Sequence, residues 1–422
     1  MKLVLAAYGT RGDIEPSVAV GRELLRRGHD VRIAVPPDLV GFAETAGLPA
    51  VPYGLDTQAW VGVYRDFWTC FFGEFWKVRK LRRLWREMWD LSDQAWKQMS
   101  TVLTSLAEGA DLLFVGQSYQ EPAANVAEYL GIPLATLHNT PTRPNGQLLA
   151  TLPSPLARMA MRLFDWGGWR MNKKVEDAQR RELGLPKATG PTSRRIIQRG
   201  SLEIQAFDEV CFPGLAAEWS SWKDTRPFVG TLTMQLETED DADVTSWIAD
   251  GPPPICFGFG SMPVHSPSDT MEMIAGACAE LGERALVCSG RTDYSAAPHF
   301  DHVKVVGAVN YATVFPACRA AVHHGGAGTL AASLRAGVPT LVLWIDGAQP
   351  VWASRVKRLK VGISRHFSTA TRETIVADLR RILTPEYVTR AHEVAAQMTK
   401  PAESVARTAD LVEDYARSRI FS

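Results

Sequence analysis

Between Ala320 and Arg355 the chain reads AAVHHGGAGTLAASLRAGVPTLVLWIDGAQPVWASR. The turn His323–Thr329 sets small residues and free backbone N–H groups at the start of an alanine-rich helix. Unpaired amides and the positive end of the helix dipole both favour a phosphate there. Glycine in a strand-to-helix turn can equally reflect close packing, so the turn alone leaves both readings open. The companion loop Trp344–Trp352, one strand further on, tips the balance toward a nucleotide. A diphosphate on the amides would be helped by His324, the Thr329 hydroxyl and Ser261 from the preceding loop Gly260-Ser261-Met262. Asp346 and Gln349 would then meet the hydroxyls of an attached sugar, the carboxylate accepting from them and the amide pairing in both directions.

A second reactive group lies near the start. Asp13 follows Gly9-Thr10-Arg11-Gly12 in a loop after the first apolar strand, Leu3–Tyr8. A carboxylate there can take the proton of an acceptor hydroxyl as that oxygen attacks an anomeric carbon. The alternative is that Asp13 caps the helix that follows. Thr10 and Arg11 either help the phosphates or anchor the loop.

Several other chemistries are disfavoured. The turn lacks the GxGxxG spacing of a nicotinamide or flavin domain and the GxxxxGK[ST] of a P-loop. With 46 basic and 46 acidic residues the chain has no electrostatic footprint for nucleic acid. The six cysteines are scattered, without a CxxC pair or clustering with histidine, so neither a metal site nor a disulfide scaffold is expected. The N-terminal apolar run is too short for a signal peptide, and no run approaches a membrane span. These features point to a cytoplasmic protein, with peripheral contact at the inner membrane face left open.

The elements that must position these groups alternate. Strands are expected at Leu3–Tyr8, Asp30–Val35, Pro49–Pro52, Leu112–Val115, Ile132–Leu137, Ile204–Ala206 and Arg226–Val229, with helices between them, the first opened by Pro16. A second set starts at Ile255–Phe259 and includes Ala285–Cys288, Val303–Val306 and Ala320–His323. Such alternation implies parallel sheets wound on both faces, with ligands beyond the carboxyl ends of the strands. The acidic run Glu237–Asp243 reads as the linker region. We therefore expect an α/β protein of two facing doubly wound, Rossmann-like domains with the active site in the interdomain cleft. Their bounds would be 1–235 for acceptor binding and 236–400 for the nucleotide-sugar, with a C-terminal helix over 401–422 packing back on the first domain. From Trp60 to Ala107 the alternation stops, and six of the thirteen tryptophans fall there. A stripe such as Trp85, Trp89 and Trp96 is ordinarily core, but the insertion could wall an apolar acceptor pocket. Trp68, Phe72 and Trp76 are its candidate lining, joined by His138, which ends a strand on the same face as Asp13.

Together GTRGDIEP, GFGSM, GAVNY and HHGGAGT…AGVP…QPVWASRV resemble the inverting, nucleotide-sugar-dependent glycosyltransferases of the GT-B fold. The nearest likeness is to the branch with glycopeptide-antibiotic, sterol and glycolipid enzymes, and it covers nearly the whole chain. That resemblance implies Asp13 as general base, Thr10 near the donor phosphates and Val309 beside the nucleotide base. It implies further that His324, Gly326, Gly328 and Thr329 hold the diphosphate, that Gln349 faces the sugar, and that no metal is needed. The expected partners are a UDP- or dTDP-activated hexose or deoxyhexose and a large hydrophobic acceptor such as a lipid, lipopeptide or polyketide-like aglycone. The chain departs from the family in carrying Ala348-Gln349-Pro350 where relatives commonly have Asp-Gln-Pro, and Ala332 where many have a ribose-binding Glu. Two alternatives stay in view: a nucleotide-sugar epimerase on the same fold and, on the strength of those departures, a non-catalytic nucleotide-sugar-binding protein.

Overall fold

The computed structural model describes residues 1–57, 62–63, 66–67, 70, 76–149, 152–234, 236, 238–260, 264, 266–345 and 347–420. Ser261, Asp346, Trp68 and Phe72 lie outside the described residues. The chain divides into two compact units, one of residues 1–206, 214–232 and 402–422, the other of residues 207–213 and 233–401.

The first unit holds six parallel strands: β1 (Lys2–Ala6), β2 (Asp30–Val35), β3 (Ala50–Pro52), β4 (Leu112–Val115), β5 (Leu134–His138) and β6 (Leu202–Gln205), in the order β3-β2-β1-β4-β5-β6. β1 and β4 are buried on both faces, as apolar runs in a helix-covered parallel sheet require. Arg226–Val229 forms no strand of its own. It runs beside β6 through an isolated bridge, Gln205 to Phe228. The helix Pro401–Ile420 belongs to this unit, where Arg27 meets Asp410 at 2.7 Å and His29 meets Glu413 at 2.7 Å.

The second unit repeats the design with β7 (Ile255–Gly258), β8 (Ala285–Cys288), β9 (Val303–Val306), β10 (Ala320–His323), β11 (Thr340–Trp344) and β12 (Gly362–His366). Its order, β12-β11-β10-β7-β8-β9, is the same topology, so each unit is a Rossmann-like doubly wound sheet. Ile255, Phe257, Val322 and Leu341 pack with Ile274 and Leu379 from two helices as its core. The chain passes between units near residues 206, 213, 232 and 401. Arg335, on the helix Ala327–Ala336, gathers the second unit's side of these crossings. It donates to the Thr233 hydroxyl at 3.1 Å and the Thr399 carbonyl at 2.8 Å, and lies 3.8 Å from Asp208.

Two further sequence expectations change here. The first helix runs Arg11–Arg26, opening five residues before Pro16. Thr10 takes the cap position, and Pro16, lacking an N–H, leaves the Gly12 carbonyl without its intrahelical donor. The acidic run is not a plain linker either, because Asp241–Ala249 is helical.

Candidate active site

In the second unit the strand order reverses between β7 and β10, so the loops leaving these neighbours open a crevice at their carboxyl ends. From β10 the chain passes through His324, Gly325 and Gly326 into the helix Ala327–Ala336. Gly325 has φ +90°, and a Cβ there would stand 2.8 Å from a Val342 methyl. The His324 ring fills the space that side chains on Gly260 and Gly326 would need: their Cβ atoms would lie 2.7 Å and 2.6 Å from it. The glycines thus seat an imidazole between the two loops of the crevice. Gly328 differs, since a Cβ there would meet only a Thr233 methyl at 3.7 Å. Its missing side chain leaves open the approach to the first turn, where the helix's leading amides lack intrahelical partners. Thr329 stands partly exposed in the same turn.

The two histidines divide their roles. His323 is buried, accepts from the Gly325 N–H at 3.0 Å through Nδ1, and is pushed down by burial to about 3. Burial also lowers His324, with the Gly258 backbone opposing. Both rings are neutral at physiological pH, so His324 can offer a hydrogen bond but no standing positive charge.

Gln349 lies beside the turn, its Cβ 3.6 Å from where a Gly325 Cβ would be. Its Oε1 accepts from the Ile345 N–H at 2.7 Å, which commits that oxygen to shaping the loop. Ala348 occupies the cap position of the helix Gln349–Leu359 and brings no capping side chain. Val309 packs half-buried in a cluster that also holds Ala332 and Tyr311. Its loop is pinned by the start of the acidic helix. Asp241 accepts from Asn310 N at 2.8 Å and Thr238 N at 2.7 Å, while Asp240 accepts from Gly307 N at 2.9 Å. Burial acts against the Asp241 carboxylate, but these amides hold its pKa below the usual range. Sequence reading passed over both aspartates, whose one signal was their place in an acidic run.

In the first unit the corresponding reversal lies between β1 and β4. Gly9, with φ +133°, lets the Asp13 carboxylate fold against the backbone, since a Cβ there would lie 2.4 Å from Oδ2. Thr10 donates to that same Oδ2 twice, from N at 2.8 Å and from Oγ1 at 3.0 Å. Asp13 therefore does cap its helix. Oδ1 has no partner among the described residues, and the side chain keeps a solvent-exposed surface. The protein mass around the carboxyl raises its pKa, more than the two Thr10 hydrogen bonds lower it. The Arg11 guanidinium lies 4.7 Å from the Phe42 ring centre and 3.6 Å from Glu15. These contacts can anchor the helix start.

The His138 side chain lies in the interior of the first unit. It is fully buried, with Nε2 3.0 Å from Thr136 Oγ1 and Nδ1 3.0 Å from Thr142 Oγ1. Burial first, then Arg143 and Arg226, hold it well below the usual histidine range. The physical reason is a buried charge cluster: Glu203 is shared by Arg143 and Arg226, and lies 3.8 Å from His138. The tryptophan stripe also divides. Trp96 is core, donating to Gln179 at 2.8 Å, whereas Trp85 is 39% exposed and meets the Trp89 ring edge-on and the Phe67 ring at a tilt. Trp76 is exposed. Glu121, beside the β1/β4 reversal, was not singled out from sequence. Burial raises its carboxyl, and only its length and polarity, shared with any surface Glu, could have signalled it.

Comparison with known proteins gives this geometry its context. Residues 3–106 match the glycosyltransferase family 28 N-terminal domain, and residues 262–411 match the erythromycin biosynthesis protein CIII-like C-terminal domain. The chain is 59% identical over 420 residues to an uncharacterised glycosyltransferase of Mycobacterium bovis, covering 99% of each. A sterol 3-beta-glucosyltransferase of Arabidopsis thaliana is 26% identical over 413 residues, which span 94% of this chain and 65% of the relative. Among solved structures, the kitacinnamycin glycotransferase superposes with a TM-score of 0.71 at 19% identity, over 98% of this chain and 99% of the other. The glycosyltransferase VinC in complex with dTDP gives 0.63 at 17% identity, over 99% and 100%. At such identities the two structures speak for the fold.

Proposed function

This chain belongs to the GT-B glycosyltransferases of the UDP-glycosyltransferase family, and we propose that it transfers a hexose or deoxyhexose, with inversion, from a UDP- or dTDP-sugar to a hydroxyl of a large hydrophobic acceptor. The observation that carries this reading is the Asp13 carboxylate, tethered through Oδ2 to Thr10 with Oδ1 open. A base needs both a fixed position and an unoccupied lone pair, and its raised pKa strengthens it. In the step, the acceptor hydroxyl gives its proton to Oδ1 as its oxygen bonds to the anomeric carbon. The bond from that carbon to the diphosphate breaks, and its electron pair leaves with the nucleoside diphosphate. The first-turn amides of Ala327, Gly328 and Thr329, with the helix dipole, meet the charge that develops there. That electrostatic provision is the basis for proposing that no metal ion is required. A dTDP-bound structural neighbour and a sterol-glucosylating relative support the donor and acceptor classes.

The test is Asp13→Asn. The reading expects dTDP or UDP to bind within about twofold of the parent, while transfer to apolar acceptors falls by roughly 100-fold to 10,000-fold. Transfer at the parental rate would remove Asp13 from the mechanism.

A further inference from the structure

The helix Ser154–Glu182 has two apolar faces. One, through Ala157 and Met161, is buried in the first unit. A helix turns about 100° per residue, so Leu163 points nearly opposite to Met161. On that outward side Leu156, Met159, Leu163 and Trp166 repeat at steps of three and four residues. They are 48%, 53%, 61% and 53% exposed. A surface helix ordinarily carries polar side chains there. This apolar strip runs about 15 Å, and core packing gives no reason for it.

Its surroundings are basic. Arg162, Arg170 and Lys174 are exposed and form no ion pair among the described residues. Arg170 lies 5.9 Å from the Trp166 ring centre, continuing the face beyond the tryptophan. The one acid between Ser154 and Lys174 is Asp165, which is engaged by the Ser193 hydroxyl at 2.6 Å. We infer that this face docks on an anionic lipid surface. Leu156, Met159, Leu163 and Trp166 enter the boundary between headgroups and acyl chains, and Arg162, Arg170 and Lys174 meet the lipid phosphates. Aromatic and aliphatic side chains on one face with unpaired cations around them are what such a boundary takes up. A second copy of this chain fits less well, because a two-fold contact through the strip would bring the same cations together. The inference is independent of the transfer reaction.

Flotation of the full chain with two kinds of vesicle tests it, phosphatidylcholine alone and phosphatidylcholine mixed with phosphatidylglycerol. The chain is expected to float with the anionic vesicles and not with the neutral ones, and less so at high salt. The double variant Leu163→Glu, Trp166→Glu should lose roughly tenfold or more of that binding, as should Arg162→Glu, Arg170→Glu. Unchanged melting temperature and dTDP binding identify folded variants, and the arginine pair serves if the first variant does not fold. Absence of binding to either vesicle would overturn the inference. So would parental binding by both variants, or a dimer in light scattering that Leu163→Glu, Trp166→Glu dissolves while vesicles remain unbound.

Discussion

Thr10 gives both of its hydrogen-bond donors to one oxygen of Asp13 and leaves the other oxygen open. Helix capping and base positioning are therefore one arrangement. Thr10→Val keeps the backbone donor and removes the hydroxyl. Loss of the cap should lower stability by about 1 kcal/mol. With the carboxylate free to turn, kcat for transfer should fall about tenfold while donor binding is unchanged. Thermal unfolding, donor titration and acceptor kinetics on the one variant separate these effects. A change confined to stability would make the contact a cap alone.

Gly328 offers a sharper separation of folding from binding. Its backbone does not need glycine, and an added methyl would meet only Thr233 at an ordinary distance. Alanine in a helix is more stable than glycine by roughly 0.5–1 kcal/mol, so Gly328→Ala should melt slightly higher than the parent. If the diphosphate rests on the first-turn amides, the same methyl stands in its way, and nucleotide affinity should drop by about tenfold or more. Calorimetric titration with dTDP and UDP, beside a melting curve, reads both. Higher stability with full affinity would place the diphosphate elsewhere.

The inner strands were legible because they are short buried runs, as β4, β5, β7, β8 and β10 show, and the glycine turn because its residue types are those an amide cradle needs. Four features were not, for definite reasons. Pro16 usually marks a helix start, and it hid the stronger capping geometry of Thr10 and Asp13. Asp240 and Asp241 read as linker charge because their partners, Gly307 and Asn310, are distant in sequence. β12 escaped notice because Gly362–His366 is a half-exposed edge strand with little apolar pattern. A histidine ending a strand looks the same whether it faces solvent or core, and His138 is drawn inward by Glu203 and its two arginines.

The buried histidines set a pH dependence. His138 and His324 are held below the usual range and His323 near about 3, so the folded chain keeps them neutral. In the unfolded chain each titrates near about 6.5. Below that value the unfolded state binds more protons, and stability falls as pH falls, by up to about 1.4 kcal/mol per pH unit for each histidine. Above about 6.5 the contribution is complete. Asp13 and Glu121, whose carboxyls are raised, act in the opposite sense, adding stability in acid that is lost as pH rises through their folded values. With three histidines against two carboxyls, the melting temperature should drop steadily from about pH 6.5 to about pH 5. A flat or rising profile over that window would mean the histidines are protonated in the fold.

Arg335 should be the most sensitive single position among the chain crossings. Its guanidinium serves Thr233 and Thr399 and faces Asp208, from three separate segments of the second unit. Burial lowers its pKa, with Asp208 opposing, and Asp208 itself also accepts from Thr399 N at 2.7 Å. A lysine carries the charge but lacks the planar fork that reaches several acceptors at once. Arg335→Lys should therefore cost about 2 kcal/mol or more, and Arg335→Ala, which leaves Asp208 buried without its cation, about 3–5 kcal/mol. Because the same helix presents its first turn to the diphosphate, saturating dTDP should recover part of the loss by mass action. Melting curves of parent, lysine and alanine variants with and without dTDP check this. Equal stability of the lysine variant and the parent would show that the charge alone, and not the fork, holds the crossings.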